Sequence, residues 1–249
     1  MIEARDVSKR YGDLVAVDHV SFEIGRGEVV GFLGPNGAGK TTTMRILTGF
    51  LPATDGTAVI AGHDIFDDPL SARRAIGYLP ESPPVYPEMT VDSYLLYVAK
   101  LKDVPRAKRL PAVARAVERC GLGDVHRRVI GSLSKGFRQR VGIAQAIVHE
   151  PPVLILDEPT VGLDPIQIRE IRALIKALAS QEESERQTVI LSTHILAEVE
   201  AICQRVILID RGKKVLDASL EELTRDGQRL EEVFTRVTLG SADELAEDA

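Results

Sequence analysis

The sequence predicts an α/β protein with a mostly parallel core sheet, an N-terminal antiparallel β subdomain and an inserted helical subdomain. Strand-like and helix-like segments alternate over much of the chain, which is typical of right-handed parallel crossovers. Residues 153–157, Val-Leu-Ile-Leu-Asp, form an apolar run that suits a strand buried on both faces of such a sheet. Between residues 81 and 150 the pattern is mostly helical.

Strands dominate the first part of the chain. Val20, Phe22 and Ile24 alternate with polar neighbours, as in a half-buried strand. A turn is expected at Tyr11-Gly12, so the first two strands should be antiparallel. The predicted strands span residues 2–7, 17–24, 28–33, 56–61, 76–79, 153–157, 188–192 and 205–210.

Four prolines between residues 80 and 87 mark the start of the helical insertion. Two later segments carry apolar residues at helical spacing: Val91, Leu95 and Val98, then Phe137, Val141, Ala144 and Val148. Further helices are predicted at 165–179 and 195–203. We interpret residues 1–240 as one domain, followed by an acidic tail at 241–249 that is expected to fray. Its parts are a catalytic core with the β subdomain (1–80 and 151–217), the helical insertion (81–150) and a C-terminal helical extension (218–240).

The composition excludes several classes of protein. The net charge of −6 and the pI near 5.5 argue against a nucleic-acid partner, because nucleic-acid binding normally requires a basic face. Cys120 and Cys203 fit no metal-ligand or disulfide pattern, so both are expected to be buried, reduced thiols. No apolar stretch is long enough to cross a membrane or to form a signal peptide. We therefore expect a cytoplasmic protein that reaches a membrane only through a partner.

The most informative segment runs from Gly34 to Thr41 and has the form G-x-x-x-x-G-K-[ST]. An apolar run precedes it and a helix-like segment follows. Glycines let the loop turn its backbone N–H groups inward, where the positive end of the helix adds to a phosphate site. Lys40 would reach the β- and γ-phosphates, and the Thr41 hydroxyl would help to hold Mg²⁺. The loop predicts a phosphate-loop NTPase, a class that includes GTPases, kinases, helicases and transport ATPases.

Asp157 and Glu158 end the buried strand and form a second predicted anchor. In phosphate-loop NTPases a carboxylate at this strand end helps to hold Mg²⁺, and an adjacent carboxylate can polarise the attacking water. Strands also often end in Asp at a turn for structural reasons alone. The complete phosphate loop upstream and the neighbouring Glu158 favour the functional interpretation.

Taken in order, the motifs resemble those of the nucleotide-binding subunits of ABC transporters over nearly the whole chain. Each motif is weak alone, whereas their joint order is specific. The matching segments are the aromatic Tyr11, the Walker A motif Gly34–Thr42, the signature segment Leu133–Phe137 followed by Arg138-Gln139-Arg140, the Walker B motif Leu154–Glu158, the D-loop Gly162-Leu163-Asp164 and the switch histidine in Ser192-Thr193-His194. The resemblance implies a RecA-like core and a Mg²⁺-dependent ATPase.

The resemblance also implies that two copies of the chain share each ATP. Tyr11 would stack on adenine, although a Tyr in a turn commonly just packs. Ser134 and the start of the following helix would bind the γ-phosphate held by the second copy, and twofold symmetry would give two equivalent sites. Binding would close the dimer and hydrolysis would open it. His194 would bridge Glu158, water and the γ-phosphate, although a His after a strand is more often structural.

The site residues that the resemblance implies fall into three groups. Those for the nucleotide are Tyr11, Gly34, Pro35, Asn36, Gly37, Ala38, Gly39, Lys40, Thr41, Thr42, Ser134, Lys135 and Gly136. Those for catalysis are Lys40, Glu81, Glu158 and His194, and those for Mg²⁺ are Thr41, Glu81 and Asp157.

Three positions depart from the family pattern. Glu81 stands where Gln is usual, and its carboxylate suits Mg²⁺ only if the metal or a proton offsets the added charge. We hypothesise that Glu81 couples the core to the insertion. In the signature, Lys135 replaces Gly and Phe137 replaces Gln. Lys135 either faces the partner's nucleotide or is a solvated surface lysine.

Two segments, residues 83–90 and 230–234, look like one branch of the family. This branch contains multidrug- and gliding-motility-type ATPase subunits that drive separate type-2 permeases. Tyrosines clustered beside prolines are typical of an interface, and four of the five tyrosines lie at positions 78, 86, 94 and 97. Tyr94 and Tyr97 suit the core of the helical subdomain at least as well, whereas Tyr86 is predicted to contact a permease. The permease is expected to dock near residues 81–97.

The predicted function is that of an ATP-hydrolysing subunit that dimerises on ATP and powers export through a separate membrane permease. The protein would be peripheral on the inner face of the cell membrane. One alternative is a soluble ABC-type ATPase acting on ribosomes or DNA, but those usually carry two cassettes or a long coiled coil, and this sequence has neither. The other is a nucleotide-binding regulator with weak turnover, which would follow if Glu81 and the altered signature impair hydrolysis.

Overall fold

The computed structural model describes residues 1–179, 187–225 and 228–237. The strands are β1 (Ile2–Tyr11), β2 (Leu14–Ile24), β3 (Val29–Leu33), β4 (Asp55–Ile60), β5 (His63–Asp64), β6 (Ile76–Leu79), β7 (Val153–Asp157), β8 (Thr188–Thr193), β9 (Arg205–Asp210) and β10 (Lys213–Ser219). The helices are α1 (Lys40–Leu47), α2 (Pro69–Arg74), α3 (Val91–Leu101), α4 (Arg109–Arg119), α5 (Lys135–Ile147), α6 (Pro165–Ala179), α7 (Leu196–Ile202) and α8 (Leu220–Thr224). Residues 230–237 are also helical. The predicted tail at 241–249 lies outside the described residues.

The strands form two sheets of different character. An antiparallel sheet has the order β2-β1-β4-β5. The second sheet has the order β10-β9-β3-β8-β7-β6, and every neighbouring pair in it except β9–β10 is parallel. This arrangement confirms the predicted α/β class with a mostly parallel core sheet and an N-terminal antiparallel portion. Because β3, β8, β7 and β6 are parallel, their carboxyl ends meet at one edge of the sheet, where ligands of open α/β sheets usually bind.

Alternate side chains of the core sheet fill two apolar layers. In β3, Val30 and Phe32 belong to the layer shared with the antiparallel sheet and α1. Val29 and Leu33 belong to the layer shared with the helices α3 to α7. β7 divides between the two layers in the same way, so both strands are buried on both faces. That burial is why each reads as a continuous apolar run in the sequence.

α5 joins the helical insertion tightly to the core sheet. Gly77 of β6 leaves the space that α5 needs, since a Cβ at this position would collide with the carbonyl oxygen of Ala146. The side-chain amide of Gln145 also donates to the carbonyl oxygen of Tyr78 at 2.6 Å. These contacts fix the C-terminal end of α5 relative to β6 and the strands beside it. The domain boundaries at residues 81 and 150 remain an interpretation of the sequence.

β1, β10 and the C-terminal helical extension are among the elements that differ from the sequence prediction. β1 continues to Tyr11, because register shifts in its pairing with β2 allow it to bend and remain paired. β10 is absent from the predicted strands. It is a partly exposed edge strand, so its sequence lacks an alternating apolar pattern. It follows a tight turn at Arg211 and Gly212, both of which have positive φ. The C-terminal helical extension begins at Leu220 and not at residue 218. Ser219 still belongs to β10 and caps α8 through a capping box.

The tyrosine cluster after the proline-rich boundary divides into buried and exposed members. Tyr94 is 2% exposed, and its hydroxyl donates to the carbonyl oxygen of Pro84 at 3.0 Å. Tyr86 and Tyr97 are 45% and 37% exposed. The Tyr86 ring lies edge-on to both others, with centroids 6.1 Å and 5.8 Å apart. The core interpretation is therefore confirmed for Tyr94 and wrong for Tyr97, whose position at the end of the cluster leaves it open to solvent.

Cys120 and Cys203 are buried and unbridged, as predicted. Burial raises the pKa of both thiols to about 12, so the reactive thiolate is scarce at neutral pH. We expect a thiol reagent such as Ellman's reagent to modify neither cysteine in the native protein and both after unfolding in guanidinium chloride. Rapid modification of the native protein at pH 8 would contradict this assignment, and a Cys203→Ser variant would identify the exposed thiol.

Across the described ranges, no helix has the length and apolarity needed to cross a membrane.

Candidate active site

The phosphate loop connects β3 to α1 at the carboxyl-end edge of the core sheet. Gly37 and Gly39 have φ values of 82° and 103°, in the left-handed region that glycine adopts without strain. A Cβ at Gly39 would also collide with the carbonyl oxygen of Ala16. Gly39 precedes α1 and has no side chain to cap it, so the first N–H groups of this helix are free of a capping side chain. This arrangement fits phosphate oxygens.

Lys40 is the first residue of α1, and its side chain is only 6% exposed. Its ammonium group donates to the carbonyl oxygens of Gly34 and Pro35, at 2.8 Å and 3.1 Å. The same nitrogen lies 3.6 Å from a carboxylate oxygen of Glu158. Lys40 therefore links the phosphate loop to the end of β7, and its charge lies where phosphate oxygens would enter.

Asp157 and Thr41 form the part of the site that fits a magnesium ion. The Thr41 hydroxyl donates to one carboxylate oxygen of Asp157 at 3.3 Å. The other carboxylate oxygen is buried and makes no hydrogen bond of ordinary length to a described residue, although the nearby Ser192 hydroxyl group also stabilises the carboxylate. Burial raises the pKa of Asp157, which means that the carboxylate lacks the solvation its charge requires. A hydroxyl and an under-solvated carboxylate are oxygen ligands of the kind that Mg²⁺ takes beside substrate phosphates.

Glu158 and His194 come together from the ends of β7 and β8. The Nδ1 nitrogen of His194 lies 3.0 Å from both carboxylate oxygens of Glu158, so Nδ1 carries the proton that it donates. The Glu158 backbone N–H donates to the carbonyl oxygen of Ser192 at 2.9 Å. Glu158 adopts a left-handed conformation with φ 49°, which is uncommon for a residue with a side chain and concentrates at functional sites.

Lys40, Thr41, Glu158 and His194 line one cleft of about 520 Å³, which Asp157 adjoins through its hydrogen bond with Thr41. Tyr11 lies at its wall, 48% exposed, with the Lys9 ammonium group 5.4 Å from the ring centroid. Glu81 is also exposed on the cleft wall. The other predicted residues in the lining are Asn36, Gly37, Gly39, Lys40, Thr41, Thr42, Glu158 and His194, while Leu14, Ala16 and Val161 are additional. The additional residues are apolar neighbours of predicted ones. For Leu14 and Ala16, the sequence signal that could have indicated a place in the cleft is their proximity to Tyr11.

The predicted signature residues do not line this cleft. Ser134 caps α5, where its hydroxyl oxygen accepts the Phe137 backbone N–H at 3.3 Å. Lys135 is exposed and lies over Gly162, where a Cβ would collide with its ammonium group. Gly136 packs against the side chain of Gln167 in α6. Within one chain, the structure therefore brings the Walker residues, Glu81 and His194 together but leaves the signature segment outside the cleft.

Comparison with known proteins identifies the family. Residues 17–161 match the family model described as ABC transporter. The chain is 38% identical over 229 residues to the bacitracin transport ATP-binding protein BcrA of Bacillus licheniformis, a match that covers 92% of this chain and 73% of that protein. It resembles the solved structure of an ATP-binding subunit of an ABC transporter, with a TM-score of 0.84 and 30% identity over 96% of this chain and 99% of that one. It also resembles the dimeric post-hydrolysis structure of the ATP-binding cassette MJ0796 bound to ADP and Pi, with a TM-score of 0.78 and 25% identity over 88% of this chain and 99% of that one.

These similarities agree with the geometry of the cleft and confirm the predicted ATPase with its phosphate-loop NTPase fold, ATP and Mg²⁺. They support a transport subunit and give no support to an ATPase acting on ribosomes or DNA, or to a regulator with weak turnover. We conclude that the chain belongs to the ABC transporter family, as an ATP-binding and ATP-hydrolysing subunit.

Proposed function

We propose that this chain powers export, from the cytoplasmic face of the membrane, through a permease encoded as a separate protein. The main support for its energy-supplying role is that five residues converge at one edge of the sheet: Lys40, Thr41, Asp157, Glu158 and His194. Similarity to a bacitracin transport ATP-binding protein supports a role in transport, and the resemblance of residues 83–90 and 230–234 to one branch of the family supports the export direction. The transported substrate is expected to contact mainly the permease.

Binding of the nucleotide is assigned to the phosphate loop and to Tyr11. The N–H groups of the loop and of α1 would donate to the phosphate oxygens. Lys40 would exchange its contacts with the loop carbonyl groups for contacts with the β- and γ-phosphates, which are charge-assisted and stronger. Tyr11 would stack on the adenine ring. Thr41 and Asp157 would hold Mg²⁺, which when bound offsets phosphate charge, and Glu81 lies on the same cleft wall.

Activation of the attacking water is assigned to Glu158. Its carboxylate is 9% exposed and lies at the cleft between Lys40 and His194. A carboxylate held in this way can accept a hydrogen bond from water and take its proton during attack on the γ-phosphate. His194 orients that carboxylate through Nδ1, and its ring is exposed enough to reach the γ-phosphate.

The site is completed by a second copy of the chain. Ser134 and Lys135 are exposed at the N-terminus of α5, away from the cleft of their own chain. In a twofold dimer this helix terminus would face the γ-phosphate of the partner, where its dipole and hydroxyl group would stabilise negative charge. Lys135 lies against Gly162 of the D-loop in its own chain, so its charge would reach the interface beside the D-loop.

The permease is proposed to dock on the surface around residues 81–97, which includes the exposed rings of Tyr86 and Tyr97. We expect the wild-type chain to co-purify with an integral-membrane permease and to show higher Mg²⁺-dependent ATP hydrolysis when the two are reconstituted in liposomes. A Tyr86→Asp variant should lose both effects, because it places a charge at the centre of the aromatic cluster, while hydrolysis by the free chain stays unchanged. Co-purification and stimulation that are equal for the variant and the wild type would contradict this docking site.

A further inference from the structure

Glu198 is a fully buried carboxylate outside the catalytic cleft. It lies in the first turn of α7, four residues after His194, and 0% of its surface is exposed. Burial of a carboxylate is costly unless hydrogen bonds and an opposite charge compensate for the lost water. The groups that provide this compensation indicate what Glu198 holds in place.

Two buried threonines donate to the two oxygens of this carboxylate. The Thr160 hydroxyl donates to Oε1, and the Thr193 hydroxyl donates to Oε2 at 2.7 Å. Both threonines are almost completely buried, at 2% and 0% exposure. Thr193 Oγ1 also accepts the backbone N–H of Ile195 at 3.1 Å, which shapes the turn into α7. Both hydrogen bonds to Glu198 are charge-assisted and are therefore stronger than ordinary ones.

The two threonines flank the catalytic pair in the sequence. Thr160 lies two residues after Glu158, and Thr193 directly precedes His194. The backbone hydrogen bond from Glu158 to Ser192 joins the ends of β7 and β8 at the base of these segments. The Glu198 carboxylate also joins the two segments, through the hydroxyl groups of the two threonines. The contact between Glu158 and His194 therefore has hydrogen bonds between the two segments on both sides of it.

Glu198 is itself anchored to the body of the protein. Its neighbour Val199 is 0% exposed and packs on β3 beside Gly31, where a Cβ would lie 3.0 Å from two Val199 methyl groups. Arg172 of α6 supplies an opposite charge 3.9 Å from Glu198 Oε1. The carboxylate is therefore fixed with respect to the core sheet, and its hydrogen bonds can hold the two threonines in place.

We propose that Glu198 is a positioning residue for ATP hydrolysis: its carboxylate holds Thr160 and Thr193 and thereby keeps Glu158 and His194 at hydrogen-bond distance. This inference rests on the proposed roles of Glu158 and His194. Glu198 does not touch the nucleotide cleft, so its loss should affect turnover more than nucleotide binding.

Glu198→Gln tests the proposal, with Glu200→Gln as a matched control on the exposed side of the same helix. An amide has one acceptor oxygen and no charge, so it cannot give each threonine hydroxyl group its own charged acceptor as the carboxylate does. We expect kcat to fall by about 10- to 100-fold, since displacement of a catalytic group by about 1 Å has an effect of that size. The Kd for ATP and the KM should stay within about twofold of wild type, because the residues that bind the nucleotide are unchanged. Glu200→Gln should behave as the wild type.

Thr160→Val and Thr193→Val provide a test that does not depend on how Glu198→Gln folds. Each removes one hydroxyl group and preserves the shape of the side chain, so each should lower kcat with little effect on the Kd for ATP. A variant with both threonine changes is also needed. Adding Glu198→Gln to it should lower kcat no further, because residues in one network act non-additively. Active protein is counted by nucleotide titration, which separates lower kcat from a smaller folded fraction.

The inference is overturned if kcat per active site is unchanged in Glu198→Gln or in both threonine variants. It is also overturned if the effects of the three changes simply multiply. Glu158→Gln, measured in parallel, separates this failure from failure of the proposed function. If Glu158→Gln abolishes turnover while Glu198→Gln does not alter it, only the positioning role is wrong.

Discussion

Replacement of Glu158 by Gln is expected to reduce ATP hydrolysis by about 10²- to 10⁴-fold, the usual contribution of a positioned base. The amide keeps the size of the side chain and an oxygen that can still accept a hydrogen bond from Nδ1 of His194. It cannot take the proton of the attacking water. ATP binding should persist, because Lys40, Thr41 and the phosphate loop are unchanged, and the ATP-bound dimer should accumulate.

Phosphate release and the Kd for ATP, measured on the same preparation, check this expectation. Glu118→Gln is a suitable control, because it removes an exposed carboxylate from the helical insertion. Hydrolysis at the wild-type rate in Glu158→Gln would remove Glu158 from its assigned role. Loss of hydrolysis together with loss of ATP binding would mean that the carboxylate supports the structure of the cleft.

Replacement of Lys40 by Met should lower turnover by about 10²- to 10³-fold, comparable to loss of a preorganised donor to a developing negative charge. It should also weaken ATP binding, because the buried ammonium group holds the carbonyl oxygens of Gly34 and Pro35 and then the phosphates. Isothermal titration with ATP and steady-state hydrolysis measure the two effects. Lys100→Met, at an exposed position in α3, should change neither. Wild-type binding and turnover in Lys40→Met would contradict the phosphate role.

Much of the site could be predicted from sequence because its residues belong to short contiguous motifs. The loop from Gly34 to Thr41 and the strand ending in Asp157 each carry their own local pattern, one of glycines and the other of unbroken apolar residues. Parallel strands then bring the ends of those motifs to one edge of the sheet. The contact between Glu158 and His194 joins residues 36 positions apart, and only the family resemblance indicated it.

Other features depend on tertiary environment and leave no local signal. Glu198 and Glu200 lie two residues apart on α7 with similar neighbours, yet the first is fully buried and the second exposed. Sequence alone does not distinguish them, because burial is decided by the packing of α7 on β3. The sequence suits a core position for Tyr97 at least as well as an interface position, because it does not show where the apolar layer of the helical subdomain ends. The partner of Ser134 cannot be identified from any contact within one chain.

We propose that the phosphate loop is half of a site and that Ser134 of a second copy completes it. The most direct measurement is sedimentation of the Glu158→Gln chain with ATP and Mg²⁺, with and without the additional change Ser134→Glu. We expect a dimer for Glu158→Gln alone. We expect a monomer when Ser134→Glu is added, because a carboxylate would then face the partner's γ-phosphate, while binding of ATP to the monomer is retained. A dimer of equal stability in the doubly changed chain would contradict the claim.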